Sequence, residues 1–339
     1  MVPARRSGLS RPAPRVRQAS THAEGRSRPC ALAVLGQQRF VRTLSSAVAA
    51  LDVRGRFALV TAGWQEREGE DQELADYLGG NTVNLRLHRR ADELFAEDRE
   101  LAEAHRKKQE LLRYRQDFYR IRLEHELAAN HVIRLRQAPR EVLAREEGAS
   151  IVAIQQLDEY HLRQCAEIHE EFDAAMKPLE RATLRKHADA VAELIDGSKA
   201  IAIAGGHVAT LVNRMRLFDL AGMIDGQAVF AWSGGAMAIS ERIVLFHDNT
   251  PEGAVAPEVL DYGLGLLKGV VVLPQPEQRL HLDDRERVQV MARRFAPAKV
   301  LAFPQSSHLT LHGDAIHSAE NVSSLDANGD CRPYTEVAS

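Results

Sequence analysis

Ser233 lies in the run Gln227 to Ser240, Gln-Ala-Val-Phe-Ala-Trp-Ser-Gly-Gly-Ala-Met-Ala-Ile-Ser, where a short apolar stretch gives way to a serine, two glycines and then helix formers. The order reads as strand, tight turn, helix. Such a turn strains one residue, lifts its side chain above the sheet edge and gathers backbone N–H groups beside it. A serine in that position is a nucleophile for acyl transfer. Crowding demands small residues two before and two after it; Gly235 meets the second requirement, and Ala231 stands where glycine is usual. The same run also suits an ordinary glycine-rich connection in an α/β sheet, so the surrounding elements must decide.

Three further groups belong beside such a serine. Ala200 to Ala204 reads as a buried strand closing in Gly205-Gly206-His207 before a helix from Val208 to Phe218. Glycines at that junction let backbone N–H groups face an oxyanion. Phe57 to Thr61 is an earlier strand closing in Ala62-Gly63-Trp64, followed by Glu66, Arg67 and Glu68 at the strand end where open α/β sheets place ligands, although a solvated loop is the default for charges at a strand end. Candidate bases are His207, His247 beside Asp248, and His281.

These pieces need a parallel sheet to hold them. Ala31 to Leu35, a helix over Thr43 to Leu51 and the Phe57 strand form a strand-helix-strand unit, and Thr82 to Leu87 offers a third strand. Between Asp92 and Gln137 the chain is dense in Glu, Arg, Leu and Ala, which predicts one helix of roughly 45 residues, about 68 Å long. Pro139 and Gly148 punctuate it; a second helical stretch runs over Ile151 to Ile195, its apolar stripe carrying Leu157, Ile168, Phe172, Met176 and Leu179, with a break at Pro178. The two make an antiparallel arm too charged to be buried. Seven-residue spacings such as Leu111 to Phe118 are interrupted by His125 and Glu126, which favours an intramolecular hairpin or an antiparallel dimer arm over a long parallel coiled coil. The arm is either a decorative insertion or an element for oligomerisation or partner docking. At the C-terminal end, Leu309 to Leu311 and Val322 to Leu325 predict a small strand pair, with an Asn328-Gly329 hairpin turn and fraying past Cys331.

Composition bounds the function. In 339 residues, 45% are apolar and 27% charged, the net charge is -3, and no run is apolar enough to span a bilayer, so neither membrane nor nucleic acid is expected as a partner. Cys30, Cys165 and Cys331 are scattered without metal-ligand spacing, and His308, His312 and His317 cross a Gly-Asp turn without a completing ligand. No metal and no cofactor are expected, and reduced thiols suit a cytoplasmic protein. The Arg-, Ser- and Pro-rich residues 1–29 read as a disordered leader, a targeting segment or a misassigned start.

Together the motifs resemble the peptidase E and cyanophycinase family, serine hydrolases on the class I glutamine amidotransferase-like fold. The resemblance is carried by Val60-Thr61-Ala62-Gly63-Trp64, Ala204-Gly205-Gly206-His207, Ala231-Trp232-Ser233-Gly234-Gly235-Ala236, and Gly263-Leu264-Gly265-Leu266-Leu267 before the strand Val270 to Leu273. It implies an α/β, parallel-sheet, three-layer domain over 30–90 and 197–330, with a long antiparallel helical hairpin over 91–196. It further implies Ser233 as nucleophile, Asp248 as the acidic partner, and Gly206 with the N–H of Gly234 as oxyanion hole. Where the family has its base histidine this chain reads Gln275, in Leu273-Pro274-Gln275-Pro276-Glu277-Gln278-Arg279. An amide cannot take a proton near neutral pH. Two readings of function follow: a hydrolase of peptide or isopeptide bonds in a small peptide-like substrate, impaired unless another base serves, or a non-catalytic relative that binds a ligand or docks a partner, a second copy included, through the arm. Serine in place of cysteine at the elbow argues against glutaminase chemistry.

Overall fold

The computed structural model describes residues 29–38, 42–247 and 256–335. In chain order the elements are β1 (Leu32–Leu35), α1 (Leu44–Ala50), β2 (Phe57–Val60), α2 (Gln72–Tyr77), β3 (Thr82–Asn84), α3 (Leu87–Glu97), α4 (Arg99–Arg134), α5 (Arg140–Met176), α6 (Ala182–Asp196), β4 (Ala200–Ile203), α7 (Val208–Leu217), α8 (Leu220–Met223), β5 (Ala228–Trp232), α9 (Gly234–Ile239), β6 (Arg242–Leu245), β7 (Glu258–Tyr262), β8 (Val270–Pro274), α10 (Pro276–Arg279), α11 (Arg285–Phe295), β9 (Lys299–Phe303), β10 (His308–His312), β11 (Ala315–Glu320), β12 (Ser323–Leu325) and β13 (Cys331–Pro333). The result is a mixed α/β protein with long helices. Among the described residues, no helix is long and apolar enough to cross a membrane.

The main sheet runs β11-β10-β1-β5-β4-β2-β3; its five strands from β1 to β3 are parallel, and β10 and β11 are antiparallel additions at one edge. Because successive side chains alternate between faces, each short strand feeds two cores. Val34, Val60, Ile203 and Ala231 point to the face covered by α6, α7 and α9, whereas Leu35, Leu59, Ala202 and Phe230 meet Leu44 and Ala47 of α1 on the other. Burial on both faces explains why these strands read as continuous apolar runs. The parallel direction of β1, β2, β4 and β5 puts their carboxyl ends at one edge of the sheet.

Several expectations need correction. The C-terminal strands do not pair with each other: β10 joins the main sheet, while β12 pairs with β13 and β9 in a separate sheet of order β13-β12-β9-β8. Past Cys331 the chain is anchored, since the Tyr334 N–H donates to the Val322 carbonyl at 2.8 Å and its ring is buried. The third strand stops at Asn84, and Leu87 already opens α3.

The single long helix is two. Asp98 leaves the helical conformation (φ -116°, ψ 85°), caps α4 by accepting from the Leu101 N–H at 3.0 Å, and pairs with Arg181 at 2.7 Å. Gly148 interrupts nothing, since α5 begins at Arg140 and runs through it. Of the predicted stripe, Leu157, Ile168 and Phe172 are buried, but Leu179 is exposed.

Nor is the arm free of the body. The α4 and α5 helices run antiparallel, and their middle is docked on β7 and α11. Arg294 of α11 donates to both oxygens of Asp158 at 2.7 Å, and Tyr119 donates to Asp158 at 2.7 Å while accepting from Arg294 at 2.7 Å and from the Val259 N–H at 3.1 Å. Arg120 and Gln116 both reach Glu258 at 2.8 Å, and His169 and Arg216 both reach Asp261. Charge did not keep the arm in solvent because its buried charges meet opposite ones.

Candidate functional site

Ser233 follows β5 directly and precedes α9, and its backbone lies at φ 51°, ψ -125°. A residue with a Cβ rarely holds that conformation, which costs on the order of 1–3 kcal/mol. Close packing enforces it. A Cβ on Gly205 would lie 2.7 Å from the Ser233 Cβ, one on Gly234 would lie 2.9 Å from the Gly206 carbonyl, and one on Gly235 would run into the Ile203 carbonyl. The requirement for small residues around the elbow is thus met by contact with the end of β4.

The loops after β2 and β4 are joined beside it. The His207 N–H donates to the Gly63 carbonyl at 2.8 Å, and Gly206 takes φ 128° where any side chain would meet Gly63. Gln65 carries a second strained backbone, φ 58° and ψ -124°, and its Nε2 donates to Thr210 Oγ1 at 3.2 Å. Sequence reading missed Gln65, because nothing local marks a positive φ at a glutamine.

Above these loops opens a cleft of about 520 Å³ lined by Trp64, Gly205, Gly206, Ser233, Gly234 and Gln275, together with Gln37, Arg42, Glu70, Glu73, Tyr77, Phe246 and Arg279. The fold therefore brings together the elbow serine, the Gly-Gly turn, Trp64 and the position expected for the base, although Gln275 lies more than forty positions past Ser233. Gln275 is held in a left-handed conformation (φ 55°, ψ 49°) at the end of β8, its N–H donating to the Phe303 carbonyl at 3.2 Å.

The histidines are not brought there. His207 caps α7: its Nδ1 accepts from the Thr210 N–H at 3.2 Å and contacts Thr210 Oγ1 at 2.8 Å. His247 and His281 are exposed, and none of the three lines the cleft, although Phe246 next to His247 does. Asp248 lies outside the described residues. Among the lining residues the acids are Glu70 and Glu73, and each is engaged: Glu70 with Arg67 at 2.8 Å, whose hydrogen bond pulls its carboxyl below the usual range, and Glu73 with Arg42. No group of three or more His, Cys, Asp or Glu suited to a metal ion occurs among the described residues.

Two lining residues to which the sequence assigned no role stand out, Arg279 having appeared only within the motif around Gln275. Arg279, at the end of α10, is half-buried and has no hydrogen-bond or ion-pair partner among the described residues; burial alone pulls its pKa down. Gln37, just past β1, has a buried Oε1 without a hydrogen-bond partner among the described residues. Its neighbour Gln38 is occupied instead, accepting from the Thr43 and Leu44 N–H groups at 2.8 Å and so capping α1. The sequence signal for Arg279 is its place in the Gln278-Arg279 pair, one turn after the strand that ends in Pro274. A cation and an acceptor left unmatched in a cleft suit a ligand that carries an anion and a donor.

No protein-family model matches this chain, and no curated protein matches it. Among solved structures the chain is similar to the crystal structure of a peptidase from an acI-B1 Actinobacterium, at 12% identity over 88% of this chain and 91% of that one, with a TM-score of 0.41. A likeness of that size carries no argument about chemistry, and the reading of the cleft rests on its own residues.

Proposed function

We propose that this chain is a serine-type hydrolase that cleaves a peptide or isopeptide bond in a small, anionic, peptide-like substrate through an acyl-ester at Ser233. The observation that carries the reading is the strained backbone of Ser233 at the floor of the cleft. Strain of this kind persists where the surrounding structure over-determines it, and it clusters at reactive positions. In the proposed roles, the Ser233 hydroxyl attacks the carbonyl, the backbone N–H groups of Gly206 and Gly234 receive the oxyanion, and Arg279 pairs with a substrate carboxylate. Gln37 Oε1 accepts from a substrate N–H.

Gln275 occupies the place of the base, and it cannot accept the serine proton. Turnover is then expected several powers of ten below that of a complete triad, at the level that binding and oxyanion stabilisation alone supply. Gln275 also favours a second reading, in which the same cleft holds a carboxylate-bearing ligand without cleaving it.

Labelling with a fluorophosphonate probe separates the two. Slow labelling of the natural protein, lost in Ser233→Ala and accelerated in Gln275→His, is the result expected of the hydrolase. Labelling that appears only in Gln275→His supports the binding reading. No labelling of any of the three proteins rejects the acyl-ester chemistry.

A further inference from the structure

Helix α4 has two apolar seams, and the fold uses one. Tyr119 and Leu123, with Gln116 and Asn130 in line, are buried against α5 and the body. On the opposite face, Leu111, Tyr114, Phe118, Ile121, His125, Ala128, Val132 and Leu135 follow one another at alternating steps of three and four residues, and every one of them is exposed. Phe118 is 65% and Leu135 68% exposed, so this seam has no cover among the described residues. It extends about 36 Å at 1.5 Å per residue, and a monomeric surface rarely leaves so continuous an apolar stripe in water.

The spacing is that of alternating a and d positions, which are the knobs of a helix pair. Taking Leu111 as a, the flanking e positions are Arg115 and Arg122 and the flanking g positions are Glu110 and Asp117, all exposed. One flank of the seam is basic and the other acidic. From this pattern we infer that the α4 seam is the docking surface for a second copy of this chain, with the two α4 helices parallel and in register.

Charge decides the direction. In a parallel pair each g residue meets the e residue five positions on in the other helix, so Glu110 meets the partner's Arg115 and Asp117 meets the partner's Arg122. In an antiparallel pair e faces e and g faces g. Arg122 would then oppose the partner's Arg122, and Glu124 would oppose the partner's Glu124. The ion pairs these groups make within the chain do not compete strongly: Glu110 with Arg113 and Asp117 with Arg120 are exposed contacts at 3.8 Å, and Arg122 rests over the Tyr160 ring at 5.2 Å. The body of the protein, attached through the opposite face of α4, stays clear of the pair. His125 and Ala128 weaken the middle of the seam without breaking its spacing, which makes the association reversible.

The test is the oligomeric state of the full chain by sedimentation, together with seam variants at exposed positions that leave the core alone. The natural protein is expected to be a dimer at micromolar concentration, and Phe118→Glu with Ile121→Glu should raise the dissociation constant at least about tenfold, or about 1.4 kcal/mol. Arg115→Glu with Arg122→Glu should weaken it in the same direction, and less so at high salt. In a Cys30→Ser background, Ala128→Cys should form a disulfide-linked dimer on mild oxidation, because parallel helices place that position opposite itself. A chain that stays monomeric overturns the inference, as does a dimer that ignores the Phe118 and Ile121 changes. Cross-linking found only between Phe118→Cys of one copy and Ala128→Cys of another overturns the parallel arrangement. Circular dichroism of each variant separates loss of association from loss of fold.

Discussion

The cleft and the junction between the long helices and the sheet both gather charged and polar groups, and they treat them in opposite ways. At the junction, Arg294, Asp158 and Tyr119 are each nearly inaccessible and satisfy one another, with Arg294 also donating to the Pro257 carbonyl at 2.6 Å. Burial pushes the Tyr119 phenol far above its ordinary range, so it stays neutral and serves as both donor and acceptor. At the cleft, Arg279 lines the space and Gln37 keeps a buried Oε1, neither with a partner among the described residues, and Ser233 sits in a conformation its own backbone resists. Polar groups that complete each other hold structure, whereas the groups left incomplete beside the strained residue are those that the proposed function assigns to a ligand.

The sharpest way to break this contrast is to remove one partner at the junction. Arg294→Ala leaves the Asp158 carboxylate buried and uncompensated and should cost about 3–5 kcal/mol in a denaturant titration, while probe labelling at Ser233 survives in the folded fraction. If the loss is small, the junction is not the structural lock described here.

In the cleft the signs should reverse. Arg279→Gln is expected to leave stability within about 0.5 kcal/mol of the natural protein, yet to weaken binding of a dicarboxylate or acidic dipeptide by about 1.5–3 kcal/mol, measured by calorimetry. Equal affinity in the variant would remove Arg279 from the ligand site.

His105 sharpens the comparison through pH. Its ring is buried between Phe95 and Phe172, with Nε2 unpartnered among the described residues; burial first, and the Lys108 and Arg214 charges after it, hold its pKa down at about 3. A pKa below the unfolded value of about 6.5 means that the unfolded chain binds the proton first. Its contribution to stability is therefore complete above about pH 6.5 and is lost as pH falls toward 3, with a limiting slope of about 1.4 kcal/mol per unit for one proton. Thermal midpoints measured from pH 7 to 5 should fall less steeply in His105→Gln; parallel curves for the two proteins would assign the acid sensitivity elsewhere.

The smallest effect concerns the strain itself. Ser233→Gly relieves the positive φ and should raise stability by about 1 kcal/mol while abolishing labelling, a trade that a merely structural serine would not make. A destabilised glycine variant would mean that the turn relies on the serine side chain.

Local signals carried part of this protein into view. Small residues around Ser233, the glycines after β4 and the apolar runs of the parallel strands are legible because crowding and burial act on residues a few positions apart. The helical character of 92–137 and of 151–195 was legible for the same reason, from stretches dense in Glu, Arg, Leu and Ala with almost no Gly or Pro to stop them. Where those helices break and what they touch was not. Asp98 ends α3 because Arg181, 83 residues away in sequence, meets its carboxylate, and Asp158 is buried because Arg294, 136 residues away, comes to it. Neither pair has a local signature. The cleft divides in the same way: the sequence by itself determined an elbow serine with glycine neighbours, whereas only the tertiary structure decided that Gln275, Arg279 and Gln37 share its cleft and that His207 turns aside to cap a helix. The small residues an elbow needs lie within a few positions of the serine and can be read there, but the contacts that enforce its strain and the partner of a charge are whatever the folded chain brings within about 3 Å, and sequence order does not encode that distance.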